Sequence, residues 1–314
     1  MDTMTLVWTM LGFSLASYSV LANDSIQTLG TWMASNRQVK WQYLWAGASI
    51  VLVFALWYGW GMYGDISYGR LDKIPYLEPQ WYHAAAPAIL LLLTRIGVPV
   101  STSFLVLSAF ASTFVLEKML VKSFAGYGVA AVSAYALWAI VTKYMSKVDL
   151  GGSDTQWRVA QWVVTGWLWW TWLSHDMANI AVFLPRELSA EMLIGISALF
   201  VAGLGFMFQE QGGKIQQIVR QKTSTQYVKS ATLIDLIYLI ILFYFKQYNN
   251  IPMSTTWVFI GLLSGRELAI QTFANNMPKK AYPIIAKDFG KLMVGVGASL
   301  GIIIGIHTFS NGSI

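Results

Sequence analysis

The chain has 314 residues, of which 56% are hydrophobic and 11% charged, with a formal charge of +6 and no cysteine. An ordinary soluble domain carries about 25% charged residues; so little charge cannot cover a water-facing surface, which excludes a soluble single-core enzyme together with disordered, collagen-like and disulfide-stapled chains. The class that remains is an all-α polytopic membrane protein with the lipid bilayer as its solvent, and its basic excess reads as loop charge rather than a nucleic-acid footprint.

Ten apolar segments follow in chain order: Met4–Ala22, Trp41–Met62, Ala84–Gly97, Ser101–Leu116, Tyr127–Tyr144, Trp157–Leu173, Met192–Phe208, Leu233–Tyr248, Thr255–Phe273 and Leu292–Phe309. No Lys or Arg precedes the first and no small-residue cleavage site follows it, so it reads as a retained span and not a signal peptide. Four segments are short and meet in pairs at Pro99 and Pro252. Two short helices around a polar Pro-Ser-Thr tip predict a re-entrant hairpin, because irregular backbone at membrane depth is tolerated only inside protein or along a cavity. The run Trp167–Trp172 reads as an interfacial belt, Asp235 as the cap of a short helix, and Gln209–Ser230 as a polar cytoplasmic loop.

Two motifs recur at nearly the same offset. Ala22-Asn23-Asp24-Ser25-Ile26-Gln27-Thr28 is followed by Ser174-His175-Asp176-Met177-Ala178-Asn179, with the aspartates 152 residues apart. Pro99-Val100-Ser101-Thr102-Ser103 is followed by Pro252-Met253-Ser254-Thr255-Thr256 at 153. The offset predicts a duplication with halves 1–150 and 151–314, each holding three spans and one hairpin. Three is odd, so the halves are expected to be inverted relative to each other, the plan of many secondary transporters. Loop charge gives the orientation. With the N-terminus outside, the cytoplasmic loops hold Arg37, Lys40, Lys143, Lys147, Arg158, Lys214, Arg220, Lys222, Lys229, Lys279, Lys280, Lys287 and Lys291, against Arg70, Lys73, Lys118, Lys122 and Arg186 outside. This bias predicts both termini outside. The minimal loops point to a bacterial inner membrane.

Asp24 and Asp176 stand at the inner end of one apolar span and the outer end of another. With Asn23, Gln27, Asn179 and the tip hydroxyls of Ser101 and Ser254 they offer the oxygen-rich cage that suits a hard cation such as Na⁺; a buried carboxylate also suits a proton. The plainer reading, a cap facing water, loses weight because the arrangement recurs. Ser101, Thr102, Ser103, Ser254, Thr255 and Thr256 precede apolar helices, where unpaired N–H groups and the positive dipole end attract an oxyanion. His83, His175 and His307 form no metal-ligand pattern.

Ala22-Asn23-Asp24 and His175-Asp176-Met177-Ala178-Asn179 resemble the duplicated Gly-Ala-Asn-Asp-Val-Ala-Asn signature of the inorganic phosphate transporter (PiT) family, and the two proline tips resemble its Pro-Val-Ser-Thr-Thr-His tips. The four motifs occur in family order along nearly the whole chain. The resemblance implies symport of inorganic phosphate with a cation, Na⁺ favoured over H⁺, and no organic cofactor. Asn23, Asp24, Asp176 and Asn179 would then belong to the ion and phosphate site, and Ser101, Thr102, Ser254, Thr255 and Thr256 to the phosphate-facing tips. The chain departs from the pattern at Gln27, at His175, and at Phe104 and Trp257, where the family has His; Val182-Phe183-Leu184-Pro185 also spaces its Gly-Pro step differently. A homodimer is an open expectation. Two competing readings are an intramembrane hydrolase, for which Ser264 beside Gly265 lacks a Gly-x-Ser-Gly context, and a non-transporting scaffold or receptor.

Overall fold

The computed structural model describes residues 2–95, 100–142, 151–211, 228–273 and 277–311, except the side chains of Asn23 and residues 306–311. The described residues are helical with irregular joints. Helix α1 (Thr3–Ser19) starts on an Asp2 carboxylate that accepts from Thr5 N at 2.6 Å. It passes through a π-helical turn (Val20–Asp24) into α2 (Ser25–Ser35). α3 (Trp41–Tyr63) ends on Gly64 in the left-handed region, φ 78°, where only glycine carries no steric penalty. α4 (Trp81–Arg95) leads to a π-helical segment (Ser103–Leu107), and α5 (Thr113–Ile140) follows. The second part comprises α6 (Asp154–Asp176), α7 (Ala178–Ala181), α8 (Ala190–Gln209), α9 (Val228–Tyr248), α10 (Thr255–Phe273) and, after a 3₁₀ turn, α11 (Ala281–Asn311). Capping serines start several of them. Ser112 accepts from Val115 N, Ser189 from Met192 N, and Ser153 forms a reciprocal capping box with Gln156.

Six described helices are long and apolar enough to cross a membrane: Thr3–Ser35, Trp41–Tyr63, Thr113–Ile140, Ala190–Gln209, Val228–Tyr248 and Pro278–Gly305. Large apolar side chains such as Ile50, Val132 and Phe206 are about 70% exposed, the surface of a chain that faces lipid rather than water.

The helices pack in matching pairs. α1 lies on α4 and α6 on α9; α5 lies on α10, and α11 on the 103–107 segment; α3 packs on α8. The α5–α10 contact is the closest. A Cβ at Gly261 would stand 2.4 Å from the Tyr127 carbonyl oxygen, and one at Gly265 1.9 Å from that of Ala131. Gly261 and Gly265 form a Gly-x-x-x-Gly stripe that lets two backbones meet, the commonest route to close packing where no hydrophobic force separates helix from lipid.

Several expectations are corrected. Ser101–Leu116 is not one helix: Ser112 caps a new one, so α5 absorbs the end of this segment, and Lys118 and Lys122, expected in an outer loop, belong to α5. The first span runs on to Ser35, which puts Asp24 inside a 33-residue helix rather than at its end. Leu233–Tyr248, expected as the short first arm of a hairpin, belongs to the 21-residue α9, long enough to cross. Asp235 is no cap: it lies seven residues into α9 and accepts from Thr31 Oγ1 at 2.5 Å and Thr165 Oγ1 at 2.7 Å. Within the tryptophan run, Trp169 and Trp172 are buried and stacked at 5.1 Å, so this part is core and not belt. Pro99 and most of Gln209–Ser230 lie outside the described residues.

Substituting Gly265→Ala is expected to destabilise the fold by about 1–3 kcal/mol through overpacking, read as a lower melting temperature in detergent. Gly290→Ala, where a Cβ meets nothing within 4 Å, should be neutral or stabilising by up to about 1 kcal/mol through helix propensity.

Candidate functional site

Each tip segment builds the same local structure. Ser101 Oγ accepts from Phe104 N and Ser254 Oγ accepts from Trp257 N, both at 3.2 Å. Both serines therefore cap the turn that follows them, and that turn's N–H groups converge on the tip. The next residue of the first tip, Thr102, donates its hydroxyl to Asp24 Oδ2. The next residue of the second, Thr255, has its side chain beside the Asp176 carboxylate. The two tips meet, because the Phe104 and Trp257 rings lie 5.5 Å apart.

The carboxylates meet as well. Asp24 lies in the π-helical turn and Asp176 at the end of α6, where the helix breaks at Met177 before α7. Each is 2% exposed, and they stand within Coulombic range of each other. Asp176 Oδ1 accepts from Asn179 Nδ2 at 3.1 Å. Its Oδ2, Asn179 Oδ1, Gln27 Oε1 and Thr28 Oγ1 are buried without a hydrogen-bond partner. Buried oxygens are nearly always satisfied, so unpartnered acceptors on the breaks of two spans fit a small hard cation. These oxygens are of the type a hard cation such as Na⁺ takes, and no group of three His, Asp or Glu side chains that could hold a metal ion occurs among the described residues. Ser103 and Thr256 are buried in the same two turns. The Asn23 backbone belongs to the π-helical turn, and its side chain lies outside the described set.

Sequence reasoning missed four groups at this site. Tyr238 on α9 donates to the Thr255 carbonyl at 3.0 Å and has Thr28 and both aspartates as electrostatic neighbours; an aromatic in an apolar helix gives no signal. Ser123 Oγ accepts from Ser254 N at 2.8 Å, which fastens the second tip to α5. Arg70 and Lys122, both assigned to outer loops by spacing, are 2% and 5% exposed. Arg70 Nε donates to the Ser174 carbonyl at 2.8 Å, and burial draws its guanidinium down to about 10 against the pull of Asp176, so it stays protonated at neutral pH. Lys122 donates to Asn249 and Ile251. The tips are thus not served by hydroxyls and helix dipoles alone. Among the described residues Ser264 Oγ is buried without a hydrogen-bond partner, while His83 and His175 bond to Gln80 N and the Leu242 carbonyl.

The architecture has a counterpart among solved structures. The chain superposes on one described as the sodium-dependent phosphate transporter with a TM-score of 0.60 over 100% of both chains, at 15% identity. No protein-family model matches the sequence, and no curated protein sequence matches it. The chain is therefore a polytopic helical membrane protein with the fold of a transporter.

Thr102→Val leaves the Asp24 carboxylate without its hydroxyl donor and is expected to cost about 1–3 kcal/mol. Circular-dichroism melting in detergent checks the loss, and Thr94→Val, whose hydroxyl bonds to its own helix at Leu91 O, should fall well short of it.

Proposed function

We propose that the chain is a secondary transporter that carries inorganic phosphate across the membrane together with Na⁺. The observation that carries this reading is the paired construction of the centre: two capped tips, each offering a threonine to its own aspartate, joined where Phe104 meets Trp257. Its likeness in fold to a sodium-dependent phosphate transporter supports the choice of cargo.

In this reading residues 1–150 and 151–314 are inverted copies with both termini outside. The copy-to-copy pairing of α1–α4 with α6–α9, and of α5–α10 with α11 and the 103–107 segment, supports it. Asp24, Asp176, Asn179, Gln27 and the Asn23 amide hold Na⁺, with Ser101 and Ser254 at its edge. The N–H groups and hydroxyls of Ser101–Ser103 and Ser254–Thr256 hold the phosphate oxygens. Bound Na⁺ neutralises the two carboxylates, which would otherwise repel the anion, and this makes binding of one cargo depend on the other. Motion of the hairpins against the remaining spans opens the centre to each side in turn.

Saturable uptake of radiolabelled phosphate into proteoliposomes should require an inward Na⁺ gradient, and a proton gradient should not replace it. Excess sulfate should compete weakly. Asp24→Asn and Asp176→Asn should each bring uptake to background while the protein still inserts; normal transport by both variants would refute the carboxylate site. A hydrolase would instead show single-serine labelling by a fluorophosphonate probe.

A further inference from the structure

Outside the carboxylate centre, positive charge gathers on the back of the second tip. Lys122 Nζ donates to the Asn249 carbonyl at 3.0 Å, to Asn249 Oδ1 at 2.8 Å and to the Ile251 carbonyl at 2.8 Å. All three ammonium protons are thereby used on neutral oxygens. Arg70 shares the Asn249 carbonyl, from Nη1 at 3.4 Å. Lys246, one turn earlier on α9, lies 5.1 Å from the rings of both Tyr68 and Trp170. Arg70, Lys122 and Lys246 stand within Coulombic range of one another's cluster, and Asp176 is the acid that acts on Arg70.

The loop that carries Arg70 is built to hold it still. Tyr68 and Gly69 have φ of 58° and 71°, a left-handed step that costs Tyr68 about 1 kcal/mol or more. The strain is held by packing and hydrogen bonds: Tyr68 Oη donates to the Ala55 carbonyl at 2.6 Å and accepts from Trp170 Nε1 at 3.0 Å. Asp65 accepts from Ser67 N at 2.7 Å. The Arg70 guanidinium is thus placed in advance rather than by chance.

We infer that Arg70 and Lys122 form an anion-operated latch: the incoming phosphate replaces the Asn249 and Ile251 carbonyls as partner of Lys122 and so frees the second tip on the side of the 64–80 loop. This rests on the phosphate reading above. Two buried cations on amide oxygens, with only Asp176 acting on Arg70 among the described residues, favour a further anion beside Lys122. A phosphate oxygen adds the attraction of opposite charges to the hydrogen bond that a neutral carbonyl already gives the ammonium, so it outcompetes a tip carbonyl for Lys122. Lys122 and Arg70 tie down residues 249–251, whereas Ser123 and Tyr238 hold Ser254 and Thr255. Release of the cations therefore loosens the end of α9 and leaves the start of α10, with its phosphate-facing turn, in position.

Because the chain has no cysteine, Asn250→Cys places a single thiol on an exposed tip residue, beside Gly69. In proteoliposomes, millimolar inorganic phosphate should raise its labelling by an impermeant maleimide several-fold. Lys122→Met should produce the fast rate without phosphate, abolish the phosphate effect, and raise the KM for uptake about tenfold, the loss of one charge-assisted bond. Lys122→Arg should keep the slow rate and the response. Unchanged labelling with phosphate and with Lys122→Met, alongside intact Na⁺-driven uptake, overturns the latch and spares the transport reading. Absence of phosphate uptake and of any phosphate effect on labelling overturns both. If Lys122→Met does not fold, the phosphate effect on the Asn250→Cys protein decides alone.

Discussion

Two carboxylates, Asp24 and Asp176, are buried within Coulombic range of each other in the interior of a bundle whose outside faces hydrocarbon. A charge at that depth is costly unless dipoles, hydrogen bonds or a counter-ion meet it, and much of the structure answers this constraint. The helices break beside both aspartates, through a π-helical turn at Val20–Asp24 and a step at Met177. Hydroxyls from two separate tips approach them, and the tips are themselves helix starts with capped serines. Irregular backbone appears beside the two aspartates and the tip hydroxyls, where polar groups can meet it.

The surrounding packing keeps these breaks in register. Gly261 and Gly265 bring α10 onto the α5 backbone, and Ser123 on the same face of α5 fixes Ser254. α10 is thus anchored along α5, and the segment before it is held at Asn249 and Ile251 by Lys122 and Arg70. A polar seam continues away from the centre. Thr31 and Thr165 hold Asp235, and farther along Asn36 bonds to Gln161, which bonds to Ser35. These interhelical bonds join α2, α6 and α9 through buried polar side chains.

Legibility in the sequence followed the range of the interaction. Asp24, Asp176, Asn179 and the Ser-Thr tips were readable because capping and helix-breaking chemistry is local and because each pattern occurs twice. Lys122 and Asp235 were misread because a charge inside a long apolar stretch looks like a loop boundary until its partner is known, and those partners, Asn249 for the one and Thr31 and Thr165 for the other, lie 127, 204 and 70 residues away. The tryptophan run misled for a related reason: composition places tryptophan at the interface, while Trp169 and Trp172 stack on each other inside the bundle.

The sequence by itself determined the solvent, the helical class and the serines that cap the turns at Ser101 and Ser254, since these depend on composition, spacing and a few neighbouring residues. Only the tertiary structure decided that the tips touch through Phe104 and Trp257, that the two aspartates share one buried place, and that Arg70 and Lys122 stand behind the second tip. Such contacts join segments more than a hundred residues apart, and their geometry is set by how closely whole helices pack, which no local pattern encodes.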